Sequence, residues 1–174
     1  MNSFKARAGV SPIDLAAEVF SGAGATLVSW DKDINLSPRL CKDYYVWKLF
    51  GLGGDGEISI EWCEELRSLS ISASVTAKHF TVYTQTGLSQ TKTEGESFAN
   101  ATYSLVEKFV DVVKKPWDEW SEEEVMEDPM WVCLRMEETG EISETAHAMM
   151  AMESYRDPSS KWVKRYFKKA VCND

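Results

Sequence analysis

His79-Phe80-Thr81 is the first pattern in the chain whose residue types could do chemistry. It has the H-x-T form of phosphoesterases that use two such elements, but Ala148 and Met149 follow His147, so the second element is broken. Two histidines cannot supply a three-histidine metal site. A nucleophilic cysteine–histidine pair stays open, because any of the four cysteines could meet a histidine in space, but no spacing supports one. The sequence therefore predicts no catalytic residue.

Residues 51–56 match the letters of the dinucleotide-binding fingerprint G-x-G-x-x-G. That motif works when a strand precedes it and a helix follows, because the helix N-terminus then meets the pyrophosphate. Here the predicted order is reversed, with a helix before the glycines and a strand after them. We therefore expect these glycines to end the helix and turn the chain, and we predict no cofactor.

Residues 31–35 begin like the calcium-binding loop of an EF-hand. The sixth position of that loop should be glycine and the twelfth glutamate, but the chain has Leu36 and Lys42 there. The pattern fails at both the bend and the bidentate ligand. We expect a surface turn at residues 31–35 and no metal site.

The net charge of -9 is concentrated in one segment. Residues 118–144 carry 11 acidic residues and a single basic one, Arg135, whereas residues 145–174 have a net charge of +3. Nucleic-acid binding is disfavoured, because it requires a basic surface. The acidic segment could attract a basic partner, or it could pair with the chain's own basic C-terminus.

Indole side chains lie beside this acidic segment, which makes it the candidate binding site. Aromatic residues next to acids are suitable anchors for a positively charged protein surface, although they could equally pack as a lid over the sheet. The predicted binding residues share this segment: Trp117, Trp120, Glu122, Glu123, Glu124, Glu127 and Asp128.

The last two predicted helices carry further binding signals. The helix at 160–171 has an aromatic half and a basic half, which suits either an anionic partner or a core-facing helix whose basic half faces the acidic segment. The preceding helix, 143–155, is rich in methionine, which suits a repackable interface or a core. Glu153 lies on its apolar arc and is expected to pair with Arg156 or Lys161.

These motifs need elements to position them, and hydrophobic periodicity predicts an α+β fold. We expect a three- to four-stranded antiparallel meander that is packed on one face by helices. The predicted domain is a single one over residues 1–174, with residues 1–10 as its candidate disordered segment. Helices are predicted at 11–22, 37–51, 96–115, 143–155 and 160–171, with a short acidic helix after Ser121, and strands at 25–30, 57–62, 69–75, 79–85 and 131–136.

The order helix, three strands, helix over residues 37–115 resembles double-stranded-RNA-binding domains, which implies RNA binding. However, the start of helix 96–115 lacks the basic cluster that such domains place against phosphates. A second alternative is a small-molecule-binding protein or small hydrolase, with a site near His79 between sheet and helices. We favour a non-enzymatic module, an inhibitor or an adaptor, that binds a basic protein surface.

The four cysteines lie far apart and form no C-x-x-C pair. This spacing predicts reduced thiols and a cytoplasmic protein. No apolar run reaches the length of a membrane span, and the N-terminus lacks the apolar stretch of a secretory signal.

Overall fold

The computed structural model describes residues 2–37, 40–51, 54–77 and 89–172. The chain divides into two compact units, an N-terminal unit, Met1–Lys115, and a C-terminal unit, Pro116–Asp174. The predicted α+β fold with an antiparallel sheet is confirmed. That residues 1–174 act as a single domain stays a prediction.

A five-stranded antiparallel sheet forms the frame of the N-terminal unit, in the order β1-β5-β4-β3-β2. The predicted strands at 25–30, 57–62 and 69–75 correspond to β2, β4 and β5, but β1 was not predicted. The strand predicted at 79–85, including His79, lies outside the described residues. The strands are β1 Asn2–Lys5, β2 Thr26–Ser37, β3 Leu40–Gly51, β4 Gly54–Cys63 and β5 Ser68–Ala77.

The predicted helix at 37–51 is wrong, because residues 40–51 form strand β3, which lies between β4 and β2 in the sheet. Its aromatic and β-branched side chains have high strand propensity. Tyr45 and Trp47 are buried on one face of the sheet. Val46 lies on the other face, where its cross-strand neighbour is Ser59. Apolar residues on both faces of a strand show no two-residue alternation, so the same pattern also fits a helix buried on several sides.

The strands of the sheet also change the interpretation of residues 51–56 and 31–35. Gly51 pairs with Gly54 at the end of the β3–β4 hairpin, so the glycines do not end a helix. Strand β4 follows these glycines, so the segment does not have the order strand, glycines, helix that a dinucleotide-binding motif needs. The turn expected at 31–35 is wrong, because these residues lie within β2. The resemblance to double-stranded-RNA-binding domains also loses its first helix.

Helices α1, Pro12–Gly22, and α2, Ser89–Val113, pack on one face of the sheet and enclose the core of the N-terminal unit. Both were predicted, although α2 begins seven residues before the predicted position 96. Phe20 of α1 lies with its ring centroid 5.2 Å from both Trp47 and Phe109. A Cβ atom on Gly51 would lie 2.6 Å from Phe98 Cε2, so a larger residue at this position would have to displace the Phe98 ring.

The two edge strands of the sheet are unlike its inner strands. β1 has four residues, and β2 has register shifts against β3 between Leu27 and Ser29, between Asp31 and Ile34, and between Asn35 and Ser37. The β3–β4 and β4–β5 pairs keep a continuous register. The register shifts therefore lie at one edge of the described sheet, in β2, whereas the short edge strand β1 pairs with β5 in continuous register.

The C-terminal unit is helical over its described residues. The helices at 143–155 and 160–171 were predicted, as was the short acidic helix after Ser121. The observed helices are α3 Glu122–Val125, α4 Pro129–Thr139, α5 Glu144–Arg156 and α6 Lys161–Cys172, preceded by a 3₁₀ turn, Trp117–Glu119. In the described part of the chain, no helix combines the length and apolar character needed to span a membrane.

The strand predicted at 131–136 is wrong, because these residues lie in α4. Pro129 occupies the first turn of the helix, where its missing N–H costs nothing, and Asp128 caps it. Gly140 ends the helix in the left-handed conformation, with φ of 74°. A proline is compatible with the end of the preceding short helix and with the first turn of a new one, and at Pro129 it occupies the first turn.

Phe20→Ala is expected to lower the free energy of unfolding by about 3–5 kcal/mol, because Phe20 is fully buried between Trp47 and Phe109. The matched control is Phe50→Ala, since Phe50 is 68% exposed, and it should cost less than about 1 kcal/mol. Urea unfolding of both variants measures the difference. Equal losses of the free energy of unfolding in the two variants would contradict the burial of Phe20 between Trp47 and Phe109.

Candidate functional site

The predicted acidic site begins at helix α3, whose start is set by a capping serine. Ser121 Oγ accepts a hydrogen bond from the Glu124 backbone N–H at 3.2 Å, as the capping pattern predicts. Three glutamates occupy the first turn, where the helix dipole favours negative charge. Glu122 and Glu123 are exposed. The local fold therefore holds these two carboxylates at the surface of the C-terminal unit.

Asp128 fixes the next turn of the acidic segment. Its Oδ1 accepts a hydrogen bond from the Met130 backbone N–H at 2.7 Å, which caps α4. Glu127 and Asp128 are both exposed. Because caps at Ser121 and Asp128 define both helix starts, the carboxylates between them are presented from a defined backbone.

The indoles of the predicted site lie mostly inside the C-terminal unit. Trp120 is 9% exposed, and its ring centroid lies 4.4 Å from that of Trp117 and 5.2 Å from that of Trp131. Trp117 is half-buried, and its Nε1–H donates to Glu138 Oε2 at 2.7 Å. Trp117 and Trp120 therefore pack against the core of their own unit, while Glu122 and Glu123 remain outside it.

The basic helix α6 uses its aromatic half for the core, as one of the two interpretations predicted. Val163 and Tyr166 are buried, and the five basic side chains are exposed. Arg165 makes two hydrogen bonds to the Glu137 carboxylate, Nε to Oε1 at 2.5 Å and Nη2 to Oε2 at 2.8 Å. Within the described part of the chain, neither Glu122 nor Glu123 forms an ion pair. Arg165 of the basic helix thus pairs with Glu137 and not with Glu122 or Glu123.

An open cavity of about 930 Å³ lies between α5 and the α3–α4 connection. Sequence reasoning singled out the methionines of this region, but not their assembly into one surface. Glu153 and Arg156 both line the cavity and form an ion pair at 2.7 Å, which confirms one of the two partners predicted for Glu153. The other lining residues are Met126, Glu127, Pro129, Thr145, Ala148, Met149, Ala151, Met152 and Tyr155.

A smaller cavity of about 290 Å³ lies in the N-terminal unit, where α1 begins. Arg67 lines it, and its Nη2 donates to the backbone oxygens of Arg7 at 3.0 Å and Val10 at 2.9 Å. The guanidinium is thus tied to the loop before α1. His79 lies outside the described residues, so the alternative of a small-molecule or hydrolase site around it stays a prediction.

Two further groups that could do chemistry, His147 and Cys133, have structural partners. His147 Nδ1 lies 3.3 Å from Tyr166 Oη, and its ring contacts Phe167. Cys133 is fully buried, and burial, followed by the nearby Glu137 carboxylate, raises the pKa of its thiol to about 11. Among the described residues, no group of three or more His, Cys, Asp or Glu side chains could hold a metal ion.

Comparison of the chain with protein-family models, with curated proteins and with solved structures finds no match.

The raised pKa of Cys133 predicts a loss of stability in alkaline solution. The ordinary value is 9.0 and the folded value is about 11, so the unfolded chain releases this proton at lower pH than the folded chain. The contribution to the free energy of unfolding, at most about 2–3 kcal/mol, is complete below pH 9 and is lost as the pH rises to about 11.

Urea unfolding at about pH 8 and about pH 10.5 tests this linkage. Wild type should lose more stability between the two values than Cys133→Ala does. The comparison of slopes removes the contribution of Tyr45, whose pKa is also raised by burial, and attributes to Cys133 its own ionisation together with its effect on the pKa of Tyr166, which burial and the Cys133 thiolate both raise. Parallel losses in the two proteins would contradict the prediction.

Proposed function

We propose that this chain is a non-enzymatic protein-interaction module, an inhibitor or an adaptor, whose C-terminal unit binds a basic protein surface. The observation that carries the proposal is the exposure of Glu122 and Glu123 on a capped helix, with the basic helix α6 paired to Glu137 instead. Charges that the chain does not neutralise are available to a partner.

The charge of the C-terminal unit supports an attraction that acts over distance. Residues 116–174 carry 14 acidic and 7 basic residues. Clustered charge of one sign steers an oppositely charged partner during encounter and disfavours partners of the same sign. The effect extends over about 10 Å at moderate ionic strength, so it weakens as salt is added.

The burial of the indoles alters the role proposed for them. Trp120 is packed between Trp117 and Trp131, so it offers little area to a partner. Its packing instead holds in place the segment from which α3 begins. In this proposal the carboxylates of Glu122, Glu123, Glu127 and Asp128 contact the partner, and Trp117 contributes its exposed edge.

Neutralising four carboxylates tests the proposal. The variant Glu122→Gln, Glu123→Gln, Glu127→Gln, Asp128→Asn keeps a capping side chain at position 128, because asparagine caps helices as well as aspartate does. We expect capture of partner proteins from an extract of the source cells to fall about tenfold at low salt, with a flatter salt dependence. Quantitative mass spectrometry of proteins retained by the immobilised chain measures both effects.

The matched control neutralises four exposed acids of the N-terminal unit, Glu18→Gln, Glu65→Gln, Glu107→Gln and Asp111→Asn. It changes the net charge by the same amount but leaves residues 122–128 intact. It should retain the wild-type set of basic proteins. Equal weakening by both variants would reject residues 122–128 as the site, and capture that neither variant changes would reject the proposed function.

A further inference from the structure

Helix α6 carries every lysine of the C-terminal unit. Lys161, Lys164, Lys168 and Lys169 are all exposed, and steps of three and four residues place them on one side of the helix. We call these four lysines the basic strip. Within the described part of the chain none of them forms an ion pair, whereas all three arginines of the unit do. The unit thus pairs its arginines and leaves its lysines to solvent.

Two acids near α6 are engaged with other groups. Glu137 accepts two hydrogen bonds from Arg165. Asp157 lies near Lys164, but its Oδ1 accepts hydrogen bonds from the backbone N–H and the hydroxyl of Ser159. The basic strip therefore has no carboxylate in ion-pair contact among the described residues, although its unit has 14 acidic and 7 basic residues.

Four carboxylates of the same unit are also left without a cation. Asp118 and Glu119 lie in the 3₁₀ turn, and Glu122 and Glu123 lie in the first turn of α3. All four are exposed, and over the described ranges none of them forms an ion pair. We call them the unpaired acids. One unit therefore presents four cations on one helix and four anions on another segment, and the chain does not pair the two sets with each other.

We propose that the basic strip of one copy of this chain binds the unpaired acids of a second copy. This inference rests on the proposed function and names its basic partner, which is helix α6 of another copy. A single exposed ion pair is weak, but four cations that meet four anions act together. The two contacting surfaces are different, so each pair of copies keeps one free strip and one free set of acids. Such head-to-tail contacts build open chains or closed rings.

The net charge of -9 opposes the encounter of two copies over distance. Screening limits this repulsion to about 10 Å at about 0.1 M salt, whereas the basic strip and the unpaired acids meet in direct contact. We therefore expect self-association at moderate ionic strength and its loss in high salt.

Other anionic occupants fit the basic strip less well. Val163 and Tyr166, on the other side of α6, are buried in the core of their own unit, so the helix has no apolar side to insert into a lipid surface. A nucleic acid carries dense charge along its whole length and would also meet the acids of the chain. A second copy presents a limited set of carboxylates, equal in number to the lysines.

Sedimentation velocity of the full chain, at increasing protein concentration, measures self-association at about 0.1 M and about 0.5 M salt. The mean mass of the wild type should rise with concentration at the lower salt and approach the mass of one chain at the higher. The variant Lys161→Gln, Lys164→Gln, Lys168→Gln keeps good helix formers at all three positions. It should associate about tenfold or more weakly.

The matched control changes the net charge by the same amount away from the basic strip. It carries Ala17→Glu, Ala101→Glu and Ser104→Glu at exposed helical positions of the N-terminal unit, and it should associate like the wild type. Circular dichroism confirms that each variant is folded. Equal weakening by the control and by the lysine variant would show an effect of net charge alone and overturn the inference.

A charge exchange tests whether the basic strip meets the unpaired acids. One variant makes the strip acidic, and the other makes the acids basic, so each should be monomeric alone because like charges face each other. A mixture of the two should associate again, since opposite charges meet at both contacts. A mixture of folded variants that stays monomeric would overturn the inference. The variants are Lys161→Glu, Lys164→Glu, Lys168→Glu and Glu119→Lys, Glu122→Lys, Glu123→Lys.

The outcomes separate this inference from the proposed function. A wild type that stays monomeric at every concentration overturns the inference, but the proposed function stands if the four-carboxylate variant still loses captured basic proteins. Binding of the monomeric wild type to phosphatidylserine vesicles or to polyuridylate RNA, lost in the lysine variant, would assign the basic strip to lipid or to RNA and also overturn the inference. Self-association that the lysine variant retains in full would place the contact elsewhere and reject the strip.

Discussion

The packing of Trp117, Trp120 and Trp131 is the interaction on which the start of the C-terminal unit depends. The ring centroid of Trp120 lies 4.4 Å from that of Trp117, in a tilted arrangement, and 5.2 Å from that of Trp131, in an edge-to-face arrangement. Trp120 and Trp131 are buried and Trp117 is half-buried, whereas the carboxylates of Glu122 and Glu123, between them in sequence, lie at the surface. Burying the rings and exposing the acids are thus two results of the same packing.

Helix capping, together with the packing of the indoles, fixes the backbone of the acidic segment. Ser121 and Asp128 set where α3 and α4 start, and each does so with a side-chain oxygen on a backbone N–H. The segment between them is short, so its glutamates have little freedom to move away from one another. A defined backbone lowers the entropy lost when a partner binds these charges. The proposed function therefore rests on packing and capping as much as on charge.

Sequence periodicity predicts the elements whose apolar residues follow one period, such as α2 and α6. It fails at β3, where apolar side chains on both faces of the strand satisfy a helical pattern as well. It fails again at α4, where the Asp128-Pro129 pair starts a helix but a proline alone suggests an end. Both failures are local ambiguities that only tertiary packing resolves.

Some features of the candidate site could likewise be predicted from the sequence, and others could not. The carboxylates of Glu122 and Glu123 could be placed from sequence, because charge density and a capping pattern are local properties. The burial of Trp120 and the cavity beside Met126 could not, since they depend on how α3, α4 and α5 assemble. The apolar residues on both faces of α5 were readable in principle from its helical wheel, but the wheel does not say which face the core takes.

The edges of the sheet also limit how other proteins can use this chain. Strand β1 at one edge is short, and strand β2 at the other edge has register shifts. Neither edge therefore offers a long row of regularly spaced backbone groups with which an added strand could pair. Extension of the sheet, and with it the usual route to fibrous aggregation, is thereby discouraged. In the proposed function, recognition accordingly uses side chains on helices, and specificity comes from shape and charge instead of from main-chain pairing.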